Sequence, residues 1–236
     1  MELLVSGAQK LNISLTQKQI DKFEIYYHEL TEWNDKINLT HITDYAEVQI
    51  KHFLDSLTLT MVWQPAASDY VIDVGTGAGL PGIPLNIVYP DFKLVLLEAT
   101  GKKVSFLNHI IEKLGLHNAA AINGRAEDIG QQEEYREKFD IVICRAVAEM
   151  ATAAELSLPF CKTSGRFVAS KKGETAEEIS HANKAIELLG GKVEQIKEID
   201  MTEFTDSRRL VVIKKASLTP DKYPRRAGMP EKRPIR

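Results

Sequence analysis

The residues best suited to chemistry lie in the segment VIDVGTGAGLPG at 71–82, where a short apolar run ends in an aspartate and a cluster of glycines. Gly75, Gly77 and Gly79 permit a sharp turn with positive φ and carry no side chain that would block a ligand. We therefore predict a buried strand that ends at Asp73, a tight turn, and a helix whose free N–H groups face a nucleotide-like molecule.

Two kinds of cofactor fit this turn. Residues 77–82 match the dinucleotide pattern G-x-G-x-x-G, and Glu98 follows about twenty residues later, where a ribose-binding acid is expected. S-adenosylmethionine is favoured over a nicotinamide cofactor by the position of Asp73, the alternation GTGAG and the acidic turn at 125–128. Such a turn can accept a hydrogen bond from the adenine amino group, while Glu98 would bind both ribose hydroxyls.

The composition is that of an ordered protein with a full core. The 236 residues are 44% apolar and 27% charged, and they contain no apolar run of about 18 residues. The N-terminal MELLVSGAQK does not resemble a signal peptide, so we expect a cytoplasmic protein with no membrane segment. Cys144 and Cys161 lack C-x-x-C spacing and the histidines form no ligand set, which argues against disulfides and bound metal.

Charge is distributed unevenly along the chain. The net charge is −3, yet the stretch 208–236 holds ten Lys or Arg against two acids, so it carries +8 and the remainder −11. We predict that this end forms a basic rim that binds a polyanion such as RNA. A disordered, solvated tail is the alternative.

Periodicity predicts a helical N-terminal extension followed by alternating strands and helices. Residues 16–39 form an amphipathic helix with a Thr16–Gln19 capping box, and a second helix runs from near Asp44 to Pro65. Strands are expected at 70–74, 93–98, 119–123, 139–144, 166–170, 192–199 and 208–214, with helices at 80–89, 101–115, about 149–157 and 174–189.

This alternation predicts an α/β fold with a mostly parallel sheet and helices on both faces. No helix separates the last two strands, which the turn MTEFTDS joins, so the last strand must be antiparallel. That ending is typical of the class I S-adenosylmethionine-dependent methyltransferase fold rather than of a Rossmann dehydrogenase. The predicted division is 1–66 (helical extension), 67–216 (methyltransferase domain) and 217–236 (basic tail).

Seven segments then point to one family: WNDKINLT at 33–40, KHFLDSL at 51–57, DVGTGAGLPGIPL at 73–85, GRAED at 124–128, FDIVICRAVA at 139–148, LPFCKTSGRFVASKKG at 158–173 and YPRRAGMPEKRPI at 223–235. In these the chain resembles the bacterial small-subunit ribosomal RNA guanine-N7 methyltransferases, also named glucose-inhibited division protein B. The resemblance implies a cytoplasmic enzyme that uses S-adenosylmethionine to methylate N7 of one guanosine, about position 527 of 16S rRNA, in the 30S subunit.

The resemblance also implies cofactor contacts, at Gly75, Leu80, Ala126, Glu127 and Arg145. Glu98 and Gly77 join them because of their places in the fold. RNA contacts are predicted at Arg145, Lys171, Arg208, Arg209, Arg225 and Arg226.

Several of these residues have a structural alternative. Arg145 could instead form a salt bridge to Asp140 or Glu149, and Lys171 could be solvated, although we expect it rather than Lys172 to point inward. Tyr27 and Trp33 are expected to pack against the body of the protein rather than stack on RNA.

No general acid or base is predicted, because guanine N7 has a free lone pair and no proton to remove. His52 and Asp55 are accordingly interpreted as a structural pair. Two other functions stay open: methylation of a small molecule, which the basic tail disfavours, and a ribosome-assembly or RNA-binding factor that retains the cofactor as a structural ligand. A monomer is the default expectation.

Overall fold

The computed structural model of the protein describes residues 1–145, 148–173 and 176–236. Two predictions therefore lie partly outside the described residues. They are the middle of the RAVA turn, at 146–147, and the start of the helix predicted at 174–189.

Within the described residues, seven strands form one sheet. They are β1 (Tyr70–Val74), β2 (Lys93–Glu98), β3 (Ala119–Asn123), β4 (Phe139–Arg145), β5 (Cys161–Lys172), β6 (Gly191–Glu198) and β7 (Arg208–Lys215). Their order is β3-β2-β1-β4-β5-β7-β6, with parallel pairing from β3 to β5 and antiparallel pairing of β7 with both of its neighbours. The predicted α/β methyltransferase fold with an antiparallel last strand is confirmed, and the last strand inserts between β5 and β6.

The helices that the structure describes are α1 (Glu2–Lys10), α2 (Gln17–Ile37), α3 (Tyr45–Val48), α4 (Asp55–Leu57), α5 (Gly82–Val88), α6 (Gly101–Leu114), α7 (Ala126–Ile129), α8 (Met150–Ser157), α9 (Ala176–Leu188) and α10 (Met229–Lys232). Helix α2 begins with the predicted capping box: the Thr16 side chain accepts from the Gln19 N–H and the Gln19 side chain from the Thr16 N–H. The helix predicted from Asp44 to Pro65 is wrong in detail, because a π-helical stretch at Gln49–Leu54 separates α3 from α4 and a 3-10 turn follows. Helices α1, α7 and α10 were not predicted.

Each face of the sheet is covered by helices. The first hydrophobic cluster joins Phe23 and Tyr26 of α2, and Phe53 of the π-helical stretch, to Phe106 of α6 and to the apolar side chains of one sheet face. The second cluster packs α8 and α9 against the other face. The N-terminal helices thus share a core with the sheet, and the domain boundary at residue 66 stays a prediction.

Trp33 lies on α2, where it is partly buried against the same cluster. Its ring centroid is 5.7 Å from that of Phe106 and 5.1 Å from that of His109. Trp33 therefore packs against the body, as predicted.

The basic tail at 217–236 is held against the body of the protein. Arg136 donates to the carbonyls of Thr219 and Tyr223, and Gln131 donates to the carbonyl of Pro224, at 2.7, 2.8 and 2.9 Å. Ile235 packs against the second hydrophobic cluster. The alternative of a disordered, solvated tail does not fit these contacts.

One buried hydrogen bond connects the N-terminal extension to the glycine turn, from the Tyr26 hydroxyl to the carbonyl of Ala78. We expect Tyr26→Phe to lower the free energy of unfolding by about 1–3 kcal/mol, because it leaves that buried carbonyl unsatisfied. Urea unfolding measures the change.

Tyr27→Phe is the matched control, since the Tyr27 hydroxyl bonds to the carbonyl of Thr43 at 3.2 Å in an exposed position. Its effect should stay within about 0.5 kcal/mol. Equal losses in the two variants would contradict a structural role for the Tyr26 bond.

Candidate cofactor and RNA site

The turn after β1 combines an open position with a crowded one. At Gly77, where φ is +62°, no described atom other than those of Gly77 and its two chain neighbours lies within 4 Å of the position that a Cβ would take. At Gly79, with φ +90°, a Cβ would lie 2.3 Å from Cδ1 of Ile83. Gly79 is therefore required by conformation and packing, whereas the space beside Gly77 is open.

Asp73 holds the two ends of this turn together. Its Oδ2 accepts from the Thr76 hydroxyl at 2.7 Å and from the Gly82 N–H at 2.9 Å, while Oδ1 has no hydrogen-bond partner anywhere in the described ranges. The side chain is fully buried, and burial raises its pKa from 3.8 to about 6 despite those two hydrogen bonds. A negative charge at this position is therefore incompletely compensated.

Glu98 approaches the turn from the end of β2. Its Oε2 accepts from the Gly77 N–H at 3.0 Å and its Oε1 from the Thr100 N–H at 2.8 Å, with only 7% of the residue exposed. An ionised carboxylate has about four acceptor positions, so two remain for other donors. The predicted ribose-binding acid is thus fixed beside the open position at Gly77 of the glycine turn.

A pocket of about 140 Å³ lies where three strand ends meet. Its lining residues are Val74, Gly75, Leu97, Ala99, Gly124, Arg125, Ala126, Glu127 and Leu156. The structure therefore brings Gly75, Ala126 and Glu127 together, with Gly77 and Glu98 joined beside them. Leu80 is 6% exposed within the first hydrophobic cluster and does not line this pocket.

Arg145, at the end of β4, is fixed by the N-terminal extension. Its Nη1 donates to Oδ2 of Asp55 at 2.9 Å and to the carbonyl of Lys51 at 3.2 Å. The alternative salt bridge to Asp140 is wrong, since that carboxylate pairs with Lys162. Sequence reasoning missed the role of Asp55, although the residue lies inside the KHFLDSL motif.

Asp55 also binds a second arginine. Its Oδ1 pairs with Arg208 of β7, whose Nε donates to Asp206 at 2.6 Å. Asp55 is 1% exposed and Arg208 2%, so the guanidinium of Arg208 is enclosed by carboxylates rather than presented at the surface. This burial does not fit the predicted phosphate contact.

His52 is not paired with Asp55. Its Nε2 lies 2.7 Å from Oγ1 of Thr40 and its Nδ1 3.1 Å from the carbonyl of Lys51. Burial, helped by the charge of Arg145, lowers the pKa of His52 to about 4. The predicted His52–Asp55 pair is wrong as a direct contact, and His52 is a neutral side chain of the interior near pH 7.

The remaining residues predicted to contact RNA differ in whether other groups of the protein already bind their side chains. Lys171 points inward, with Nζ 2.6 Å from the carbonyl of Ala148 and 2.7 Å from Glu178, whereas the Lys172 side chain is 51% exposed. Arg209 donates to Glu198 and to the carbonyl of Gly173.

The two predicted arginines of the tail have different surroundings. Arg225 is clamped by Glu155, at 2.6 Å between Nη2 and Oε2. Arg226 is exposed.

The described residues contain no group of three or more His, Cys, Asp or Glu that could hold a metal ion. No helix among them combines the length and apolar character needed to cross a membrane.

These features suit a cationic nucleoside ligand. The buried, incompletely compensated charge of Asp73 favours a positive group, and the free acceptor positions of Glu98 suit ribose hydroxyls. The space beside Gly77 is open. A sulfonium donor such as S-adenosylmethionine therefore fits the residues present.

Asp73→Asn tests the charge below the turn. Because folding raises the pKa of Asp73 from 3.8 to about 6, ionising it costs stability as pH rises between those values. Without ligand, we expect the free energy of unfolding of the variant, relative to that of the natural protein, to rise by about 1–3 kcal/mol from pH 4 to above pH 6. Urea unfolding at several pH values measures it, and a difference that did not change with pH would contradict the assignment.

Comparisons with known proteins identify the family of this chain. A family model described as rRNA small subunit methyltransferase G matches residues 19–211. Proteins named ribosomal RNA small subunit methyltransferase G are 48% identical in Dehalococcoides mccartyi strain CBDB1, covering 100% of both chains, and 46% identical in Lachnoclostridium phytofermentans, covering 98% of this chain and 96% of the relative.

Solved structures share the fold. A SAM-dependent methyltransferase from Aquifex aeolicus has a TM-score of 0.53 at 16% identity, covering 72% of this chain and 93% of that one. M. jannaschii TYW2 in complex with AdoMet has a TM-score of 0.54 at 14% identity, covering 75% of this chain and 80% of that one. The match to the family model and the full-length relatives show that this chain belongs to the rRNA small subunit methyltransferase G family.

Proposed function

We propose that this chain transfers a methyl group from S-adenosylmethionine to N7 of one guanosine, about position 527, in 16S rRNA of the small ribosomal subunit. It would act in the cytoplasm, as a monomer. Family membership supports the substrate class. The observation that best supports this reaction is the glycine turn, which is held between the buried carboxylates of Asp73 and Glu98 at the carboxyl edge of the sheet.

Glu98 would bind the ribose hydroxyls while it continues to hold the Gly77 N–H. Ala126 and Glu127 would line the adenine end of the pocket. When bound, the donor supplies an electrophilic methyl group on a positively charged sulfur. The charge of Asp73 attracts such a cation more strongly than the uncharged thioether left after transfer, which favours binding of donor over product.

Methyl transfer to guanine N7 does not require the protein to remove a proton. N7 of guanine has a lone pair and no proton at neutral pH, so alkylation needs no general base. Both ring nitrogens of His52 are engaged within the protein, by Thr40 and by the carbonyl of Lys51, which agrees with a structural rather than a catalytic role. The main contribution of the protein is therefore alignment of the reacting atoms.

Arg145 is placed to help hold the base. Asp55 and Lys51 engage Nη1, which leaves other guanidinium N–H groups to donate to O6 of guanine. Methylation at N7 makes the base cationic, and a bare arginine beside it would be repelled. Because Asp55 and Asp206 together offset the charges of Arg145 and Arg208, Arg145 can donate hydrogen bonds with its charge largely compensated.

Methyl-labelled S-adenosylmethionine tests the proposal, when offered with purified small subunits that lack the modification, naked 16S rRNA, large subunits or no RNA. We expect label only with the small-subunit substrates, recovered as 7-methylguanosine. Label in another nucleoside or in the large subunit would contradict the proposal. Donor binding without transfer to any RNA would favour an assembly factor instead.

A further inference from the structure

The C-terminal tail forms a further pocket, whose lining differs from that of the pocket beside the glycine turn. It has a volume of about 500 Å³ and its lining residues are Arg226, Ala227, Gly228, Met229, Lys232 and Arg233. We call it the tail pocket.

The tail pocket is cationic and its charges are unpaired. Arg226, Lys232 and Arg233 are exposed, and the described part of the chain offers none of them an ion pair. Glu231 is the acid of this stretch, yet it does not line the pocket. Three neighbouring cations without a counter-charge repel one another, so an anion placed between them is stabilised.

The segment that carries these cations is fixed in advance. Glu155 of α8 is fully buried and accepts from the backbone N–H of Arg225 at 2.9 Å as well as from its guanidinium. The Thr152 hydroxyl donates to the carbonyl of Pro230 at 3.0 Å. A pocket that is already ordered loses less entropy when it binds a ligand.

The same segment contacts the pocket of about 140 Å³ at the ends of β1, β2 and β3, which is assigned to the donor and is called the cofactor pocket below. The backbone N–H of Gly228 donates to Oε1 of Glu127 at 2.8 Å, and Glu127 lines the cofactor pocket beside Ala126. Burial alone would raise the pKa of Glu127, but the hydrogen bonds from Gly228 and Arg125 lower it below its ordinary value, so the carboxylate is ionised near pH 7. Glu127 thus separates a cationic pocket from the pocket assigned to the donor.

The chemistry favours the RNA backbone as ligand. The lining of the tail pocket contains no aromatic side chain on which a base could stack. Exposed arginine and lysine groups are the residues that bind backbone phosphates. We propose that the tail pocket binds a backbone phosphate of the substrate RNA beside the donor site, an assignment that rests on the proposed RNA substrate.

Two triple variants with the same charge change test the proposal. The first replaces Arg226, Lys232 and Arg233 by Gln. The control replaces Lys93, Lys192 and Lys214 by Gln, which are exposed at the opposite, amino-terminal edge of the sheet and have no ion pair within the described residues. Binding of unmethylated small ribosomal subunits is measured over a range of salt concentrations, and S-adenosylhomocysteine affinity is measured without RNA.

We expect the tail variant to bind small subunits roughly tenfold more weakly at about 0.1 M salt, with a salt slope shallower by about 0.7 or more. The control should stay within about twofold, and both variants should keep the natural affinity for S-adenosylhomocysteine. Equal weakening of the two variants would overturn the proposal, because total charge would then explain the effect. Loss of S-adenosylhomocysteine affinity in the tail variant would overturn it too, since the tail would then shape the donor site.

Methyl transfer by the natural protein distinguishes a failure of this proposal from a failure of the proposed function on which it rests. If the natural protein methylates small subunits while the tail variant binds them normally, the assignment of a phosphate to the tail pocket is wrong and the proposed function stands. If the natural protein transfers no methyl group to RNA, the proposed function itself fails.

Discussion

The structure depends on how the backbone between Asp73 and Gly82 is held in place. A glycine-rich segment loses much conformational entropy when it is fixed, so it needs strong local contacts. Asp73 bonds to Thr76 and Gly82 from below, Glu98 bonds to the Gly77 N–H from the side, and Tyr26 reaches the Ala78 carbonyl from α2. Both carboxylates also provide the charge and acceptor capacity that a sulfonium nucleoside requires, so the groups that shape the turn are those that would bind the donor.

A second set of buried charges connects the N-terminal extension to the same edge of the sheet. Asp55 lies between Arg145 of β4 and Arg208 of β7, with almost no exposed surface. A buried ion pair of this kind contributes more to specific geometry than to net stability, because desolvation offsets much of the attraction. Its consequence here is that Arg145 has a fixed orientation at the carboxyl edge of the sheet. The extension therefore contacts the carboxyl edge of the sheet as well as contributing to the hydrophobic core.

The sequence was most informative where structure depends on neighbouring residues. The glycine turn, the Thr16 capping box, the strands and the antiparallel ending all follow from local spacing, and the structure confirms them. Contacts between distant residues were not predictable in the same way. Arg145 lies 90 residues from Asp55 in the chain, and Gly228 lies 101 residues from Glu127, so no periodic pattern links either pair.

Composition also gave an incomplete account of the basic end of the chain. It predicted the excess of positive charge, but it could not separate the cations that carboxylates occupy from those left exposed. Arg208 and Arg225 are held by Asp55 and Glu155, whereas Arg226 remains at the surface. Only the three-dimensional placement of the acids distinguishes structural arginines from those available to RNA.

The most direct measurement of this account is calorimetric binding of S-adenosylhomocysteine to the natural protein and to Glu98→Gln, with Glu112→Gln on the exposed surface of α6 as control. If Glu98 holds the ribose beside the glycine turn, its variant should bind about 1–3 kcal/mol more weakly, because the amide has one acceptor oxygen where the carboxylate has two. The control should bind as the natural protein does. Equal affinity of Glu98→Gln and the natural protein would contradict the placement of the donor between β1 and β2.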